Sequence, residues 1–383
     1  MSDDDRPTAA DLEAAGLFDP DAADAPQQLA LLDYLLDVGA TMDDLLEAGP
    51  GELPIVGSRI ALWGARSRLS LDEIAEAAQI DRTLVSSLWR AVGFPEPDPD
   101  PNVRTFSQKD AELLMNLQGG IEFFGEEVTI QLARVLGAAA ARVADASVSA
   151  FVANIIPQRL EDDPSGLELT RANVESMVLL DSLTHGFDTL LRHQIEQGFR
   201  PGDLIDRMSG IDMVRRSVGF ADLVDSTAWT QQLELPALSL ALSEFDSSAS
   251  EIVAGLGGRV VKLIGDGVMF ATEDPVTATE IALQLVEAFV NHETLPPLRV
   301  GIATGNVLAR DGDFSGAVVN LAARAVNVAR PSTVLVDPET RLTIDTSDAY
   351  NCRVAGAFKL KGFERRVRLS RVKRASSDGD DDA

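Results

Sequence analysis

Residues Val260-Val261-Lys262-Leu263-Ile264-Gly265-Asp266-Gly267-Val268-Met269-Phe270 constrain this chain most. Two apolar runs flank Gly265-Asp266-Gly267, the pattern of a β-hairpin with a carboxylate at its tip. The glycines let the backbone reverse and approach a ligand closely. Upstream, Val218-Gly219-Phe220-Ala221-Asp222-Leu223-Val224 is a second apolar strand ending in an acid. An isolated turn acid is commonplace. Two strand-end carboxylates suit a pair of divalent cations whose shells are completed by substrate phosphates.

The remainder of the mixed region, 215–374, alternates strands and helices. Arg216 to Val224 reads as strand and Pro236 to Ala254 as helix. The hairpin spans Arg259 to Ile264 and Val268 to Thr272. Pro275 to Asn291 is helix, Leu298 to Ala309 strand, Val318 to Ala329 helix and Thr333 to Val336 strand. Further strands fill Cys352 to Val372. The β-α-β-β-α-β order is ferredoxin-like.

Residues 1–200 carry helical apolar spacing instead, as in Leu29 to Leu36 and through most of Gln108 to Arg200, with Pro157 and Pro164 as breaks. In 69–94, Ser70 and Glu73 form a capping box and Asp81 caps a second helix, which together resemble a helix-turn-helix. The expected fold is therefore α+β: an all-α domain over 1–200 with no strand signal, a linker over 201–214 at Arg200-Pro201-Gly202-Asp203, the ferredoxin-like domain, and a disordered acidic tail over 375–383.

The net charge of −28 argues against binding nucleic acid or an anionic membrane. A single cysteine, Cys352, excludes an intrachain disulfide and fits a reducing cytoplasm. No signal peptide is visible after Met1. The most apolar stretch, Val135 to Ile156, is interrupted by Arg142 and Asp145 and reads as too short and too charged to span a bilayer.

Over roughly 212–373 the sequence resembles the class III nucleotidyl cyclases. Phe220-Ala221-Asp222 resembles their first metal motif. Lys262 with Gly265-Asp266-Gly267 resembles the base-selecting lysine and the second metal motif. Gly312-Asp313-Phe314-Ser315-Gly316-Ala317-Val318-Val319-Asn320-Leu321-Ala322-Ala323-Arg324 resembles the base-selecting acid followed by the transition-state Asn and Arg. Lys359-Leu360-Lys361-Gly362 resembles the triphosphate lysine segment. One position departs: the family often has a second aromatic where Ser315 stands.

The resemblance implies that Asp222 and Asp266 hold two divalent cations, magnesium or manganese. It implies that Asn320 orients the ribose, that Arg324 stabilises charge on the α-phosphate, and that Lys361 neutralises the terminal phosphates, with Lys359 a competing choice. In this family the acids come from one subunit and the other groups from its partner, so a homodimer is implied. Lys262 only donates and Asp313 only accepts, which complements N1 and N6 of adenine. Guanine would set a buried carboxylate against O6, at roughly 1–3 kcal/mol. ATP is therefore the expected substrate. Taken alone, Lys262 reads equally as a solvated strand lysine, Asp313 as a turn acid and Arg324 as a surface arginine.

For the N-terminal half, a regulatory domain is expected. A DNA-binding helix-turn-helix serving an inactive cyclase-like module is the alternative, and a guanylate cyclase the other. The recognition-like helix offers only Arg82 and Arg90, and phosphate neutralisation needs clustered cations. His185 and His193 lie eight residues apart and share a face if their helix is continuous. Histidine titrates near neutrality, which makes the pair a candidate proton sensor.

Overall fold

The computed structural model describes residues 6–49, 51–63, 68–154, 166–198 and 213–375. The chain forms two compact units, Met1–Ile195 and Glu196–Ala383. Pro157, Pro164, the Arg200–Asp203 junction and the acidic tail beyond 375 lie outside the described residues. So does the expected linker, apart from its last two residues, which begin the first strand.

The first unit contains α1 (Ala9–Ala14), α2 (Ala25–Asp37), α3 (Met42–Ala48), α4 (Leu53–Trp63), α5 (Leu71–Ala78), α6 (Arg82–Ala91), α7 (Gln108–Phe124), α8 (Glu126–Asn154) and α9 (Leu167–Gly198). Capping boxes start α1, α3, α5 and α7, each pairing a Ser or Thr with an acid three residues on. One core gathers leucines of α1 to α4, among them Leu32, Leu35 and Leu45. A second joins α5, α6, α7 and the start of α8 around Ile74, Leu88 and Leu114.

The described residues of this unit are all-α, as expected, with one isolated bridge beside α5 in which Leu69 and Phe106 exchange backbone hydrogen bonds of 2.7 and 3.1 Å. One expectation needs correcting: the apolar stretch is not short. It belongs to the 29-residue α8, which is long and apolar enough to cross a membrane. Length and composition therefore do not set α8 apart from a membrane span. Its first turns nonetheless pack into protein, burying Thr129 and Ala133.

The second unit runs β1 (Met213–Leu223), α10 (Ser226–Thr230), α11 (Leu235–Gly255), β2 (Arg259–Ile264), β3 (Gly267–Thr272), α12 (Pro275–Phe289), β4 (Leu298–Arg310), β5 (Asp313–Ser315), α13 (Ala317–Val328), β6 (Thr333–Val336), α14 (Pro338–Ile344), β7 (Tyr350–Phe358) and β8 (Val367–Arg374). The sheet order is β2-β3-β1-β4-β6-β8-β7, with β5 paired to β4. Only β4 and β6 are parallel among these pairs.

Strand periodicity sorts β1 between two cores. Ala221 and Leu223 join Phe245, Ile281 and Phe289 on the α11/α12 side. Val214, Val218 and Phe220 face the other way, with Met269, Ala303 and Phe314. Asp222 has the parity of this second set. On the same face, α13 rests on β4 backbone to backbone: a Cβ on Gly301 would lie 2.3 Å from the Val326 nitrogen.

Candidate active site

Asp222 is the penultimate residue of β1, directly opposite Gly267 of β3 on one side and Arg299 of β4 on the other. Asp266 occupies the two-residue turn before β3, where Gly265 takes a φ of 62°. The Leu223 amide donates to the Asp266 carbonyl at 3.1 Å, so sheet hydrogen bonding fixes the spacing of the two acids. Gly267 lets the two strands approach closely here; a Cβ there would lie 3.5 Å from Asp222 Oδ1 and 2.9 Å from the Ala221 carbonyl oxygen.

Asp222 uses its two oxygens differently. Arg299 donates to Oδ2 from Nη2 at 2.6 Å and from Nε at 3.1 Å. Oδ1 faces the hairpin that carries Asp266. Both side chains are about three-quarters buried, which strengthens the pairing relative to a surface bridge. Among the described residues no cluster of three or more His, Cys, Asp or Glu is present. Two hard carboxylates fit magnesium or manganese if phosphate and water complete the shell.

Lys262 and Asp313 meet. Lys262 Nζ donates to Asp313 Oδ2 at 2.5 Å, and the Phe314 amide donates to Oδ1 at 2.8 Å. Partial burial opposes the charge on Asp313, but these bonds outweigh it and hold the carboxyl below its ordinary value. Phe314 is buried and Ser315 is exposed, so the Ser315 departure leaves the core side of the loop filled.

Asn320 and Arg324 lie one turn apart on α13, while Ala322, Ala325 and Val326 bury the opposite side. Among the described residues neither makes a side-chain hydrogen bond, and both are accessible to a ligand. The two lysines differ in what they hold. Lys359 Nζ donates to the carbonyls of Phe363 and Glu364 at 3.1 and 2.6 Å and so closes its own turn. Lys361 is exposed in that turn.

Within one chain, then, the residues form separate sets: Asp222 with Asp266, Lys262 with Asp313, and Asn320 with Arg324. Among the described residues no hydrogen bond or ion pair joins Asp222 or Asp266 to the side chains of the others. Two contacts escaped the sequence reading, Arg299 on Asp222 and Arg259 on the Asp313 turn. A basic residue inside the apolar run Leu298-Arg299-Val300-Gly301-Ile302 was the available signal for the first.

Residues 10–160 match the family model of the adenylate cyclase regulatory domain, and residues 211–372 that of the adenylate and guanylate cyclase catalytic domain. An adenylate cyclase of Streptomyces coelicolor is 36% identical over 295 residues, covering 76% of this chain and 75% of the relative. This chain belongs to the class III adenylate cyclases. The cyclase is also 28% identical to a pH-sensitive adenylate cyclase of Mycobacterium tuberculosis over 362 residues, 92% of this chain and 89% of that one. A solved adenylyl cyclase from Pseudomonas aeruginosa, CyaB, overlays 44% of the cyclase and 99% of its own chain, with a TM-score of 0.39 and 26% identity.

Proposed function

We propose that this cyclase converts ATP to 3′,5′-cyclic AMP and pyrophosphate at a site shared by two copies of the chain. The observation that carries the substrate is the Lys262–Asp313 contact, which sets a lone donor beside a lone acceptor. On binding, the pair exchanges its mutual bond for N1 and the N6 amino group of adenine. Two divalent cations bound by Asp222 and Asp266 would supply acidification of the ribose 3′-hydroxyl and neutralisation of the triphosphate.

Asn320 orients the ribose. Arg324 lays a planar guanidinium against the α-phosphate as negative charge gathers there. Lys361 neutralises the terminal phosphates. The groups stand as separate sets within one chain, and in the shared site a partner copy supplies the second set.

The helical half is read as the regulator. His185 and His193 both lie within the unbroken α9 and share a face of it, two turns apart and exposed. The pH-sensitive relative supports a proton signal. The test of the reaction is direct: pure protein with Mn²⁺ and either ATP or GTP, followed by identification of the nucleotide product. Cyclic AMP from ATP with little cyclic GMP from GTP is expected. Preferential cyclisation of GTP, or no cyclic nucleotide, refutes the reading.

A further inference from the structure

The edge strand β2 contains a bulge at Val261. Arg259 pairs opposite Ala271 and Val260 opposite Phe270, but the next pair is Lys262 with Met269. Residues three apart on a regular strand point to opposite faces. The extra residue cancels that flip. Ala271 and Met269 are two apart on β3 and belong to one core, so Arg259 and Lys262 emerge on the same face of β2.

Both then reach one turn. Lys262 holds the Asp313 carboxylate, while Arg259 Nη2 donates to the Gly312 carbonyl at 2.6 Å. The Arg259 guanidinium also lies over the Phe314 ring, 5.8 Å from its centroid. The turn is tight, with Asp311 at φ 55° and Gly312 at φ 80°. We propose that Arg259 is the positioning residue for adenine selection: it holds the 311–314 turn against β2 so that Asp313 keeps its place beside Lys262. The inference rests on the reading of Lys262 and Asp313 as the base-selecting pair.

The two tethers differ in what substrate does to them. Adenine takes Lys262 and Asp313 away from one another. The Arg259 contacts involve a backbone carbonyl and a ring, neither of which a base needs, so they persist when the side-chain bond is released. Arg259 then keeps Asp313 from turning to accept from solvent or from a wrong base. A lysine in its place would keep the charge but lose the planar fork and its stacking.

The test compares Arg259→Ala and Arg259→Lys with wild type and with Asp313→Ala, reading kcat and KM for ATP and for GTP and the thermal midpoint of each. Arg259→Ala should raise KM for ATP about tenfold, lower kcat far less, and cut the ATP-over-GTP preference about tenfold. Arg259→Lys should recover part of each loss. If Asp313→Ala loses its preference while Arg259→Ala keeps both KM and preference, the positioning role is refuted. A fall in kcat alone, with the preference intact, also refutes it. If Asp313→Ala keeps the full preference for ATP, the base-selecting reading fails and takes this inference with it.

Discussion

The two halves of this enzyme finish their own surfaces to different degrees. In the sheet half, strands place Asp222 and Lys262 by backbone register: Asp222 is opposite Gly267 and Arg299, and Lys262 is opposite Met269. In the helical half, α8 exposes Val128, Leu132, Leu136, Val148 and Val152, and α9 exposes Leu183, Phe187, Leu190, Leu191 and Ile195. The same chain thus pairs a catalytic unit held by hydrogen-bonded geometry with a regulatory unit whose long helices leave much apolar surface uncovered. Chemistry needs sub-ångström placement, which a ladder provides. A signal needs elements whose packing can change at low cost, which long, lightly buried helices provide.

The largest expected effect tests the rigid side of that contrast. Asp222→Ala or Asp266→Ala should lower turnover by about 10³-fold or more at saturating metal; the thermal midpoint should change little in Asp266→Ala and fall in Asp222→Ala, where Arg299 loses its partner. Near-normal rates in either variant would break the two-cation reading. Mixing Asp222→Ala chains with Arg324→Ala chains should restore roughly a quarter of wild-type activity if exchange is statistical, because half the dimers then carry one intact site of two. No recovery in proven heterodimers would show that each chain builds its own site.

A smaller effect tests the adaptable side. Removing the helical half, in a chain that starts near Asp206, should change activity several-fold, in keeping with a coupling of about 1–3 kcal/mol. Full-length activity should rise from about pH 8 to 5.5 more steeply than that of the short chain, and the joint His185→Ala and His193→Ala variant should flatten the difference. An unchanged full-length profile in that variant would remove both histidines as the sensor.

A third expectation concerns what ties β8 to α12. Arg374 of β8 donates to Glu280 at 2.7 and 2.8 Å and to Glu287 at 2.8 Å, both on α12. Bonds to Arg374 keep the Glu280 carboxyl below its ordinary value of 4.5. Its folded-state pKa is depressed, so this stabilisation is complete above about pH 4.5 and is lost as pH falls below it. Arg374→Ala should cost about 1 kcal/mol at pH 7, because the guanidinium is partly exposed, and less in acid. Denaturant titrations at pH 7 and pH 3.5 measure both.

The smallest effect is chemical silence. Burial, and then the neighbouring Asp345 carboxylate, push the Cys352 thiol up to about 11. Alkylation of the native enzyme at pH 7.5 should therefore be slower than that of the unfolded chain by about a hundredfold, since the thiolate is the nucleophile. Equal rates would show β7 to be open in solution.

How much of this could be read beforehand follows the same division. The hairpin tip, the acid of β1 and the Asn–Arg spacing were legible, because period-2 and period-3.6 patterns survive in sequence. The Ser70 capping box and the Asp81 cap were legible too, and both form. By contrast, α14 was overlooked although Asp337-Pro338-Glu339 is a clear start signal, an N-cap followed by proline. The Val261 bulge had no such signal: nothing in Arg259-Val260-Val261-Lys262 tells which residue the ladder skips. Arg299 and Asp222 lie 77 positions apart, and only strand register brings them together. The DNA-binding alternative lost ground for a similar reason, since Arg82 pairs with Asp72 and Arg90 with Glu96.

Gly301 limits how this enzyme can diverge. With no side chain there, α13 sits on β4 main chain against main chain, so the reach of Asn320 and Arg324 is not set by the shapes of core residues. Apolar positions around the contact can drift over generations, trading volume with one another, and leave Asn320 and Arg324 where they are. Residue 301 has no such freedom, because a single methyl there would lie within 3 Å of three backbone atoms of α13. In a library randomised through this core, tolerance should be broad at the apolar side chains and vanish at Gly301.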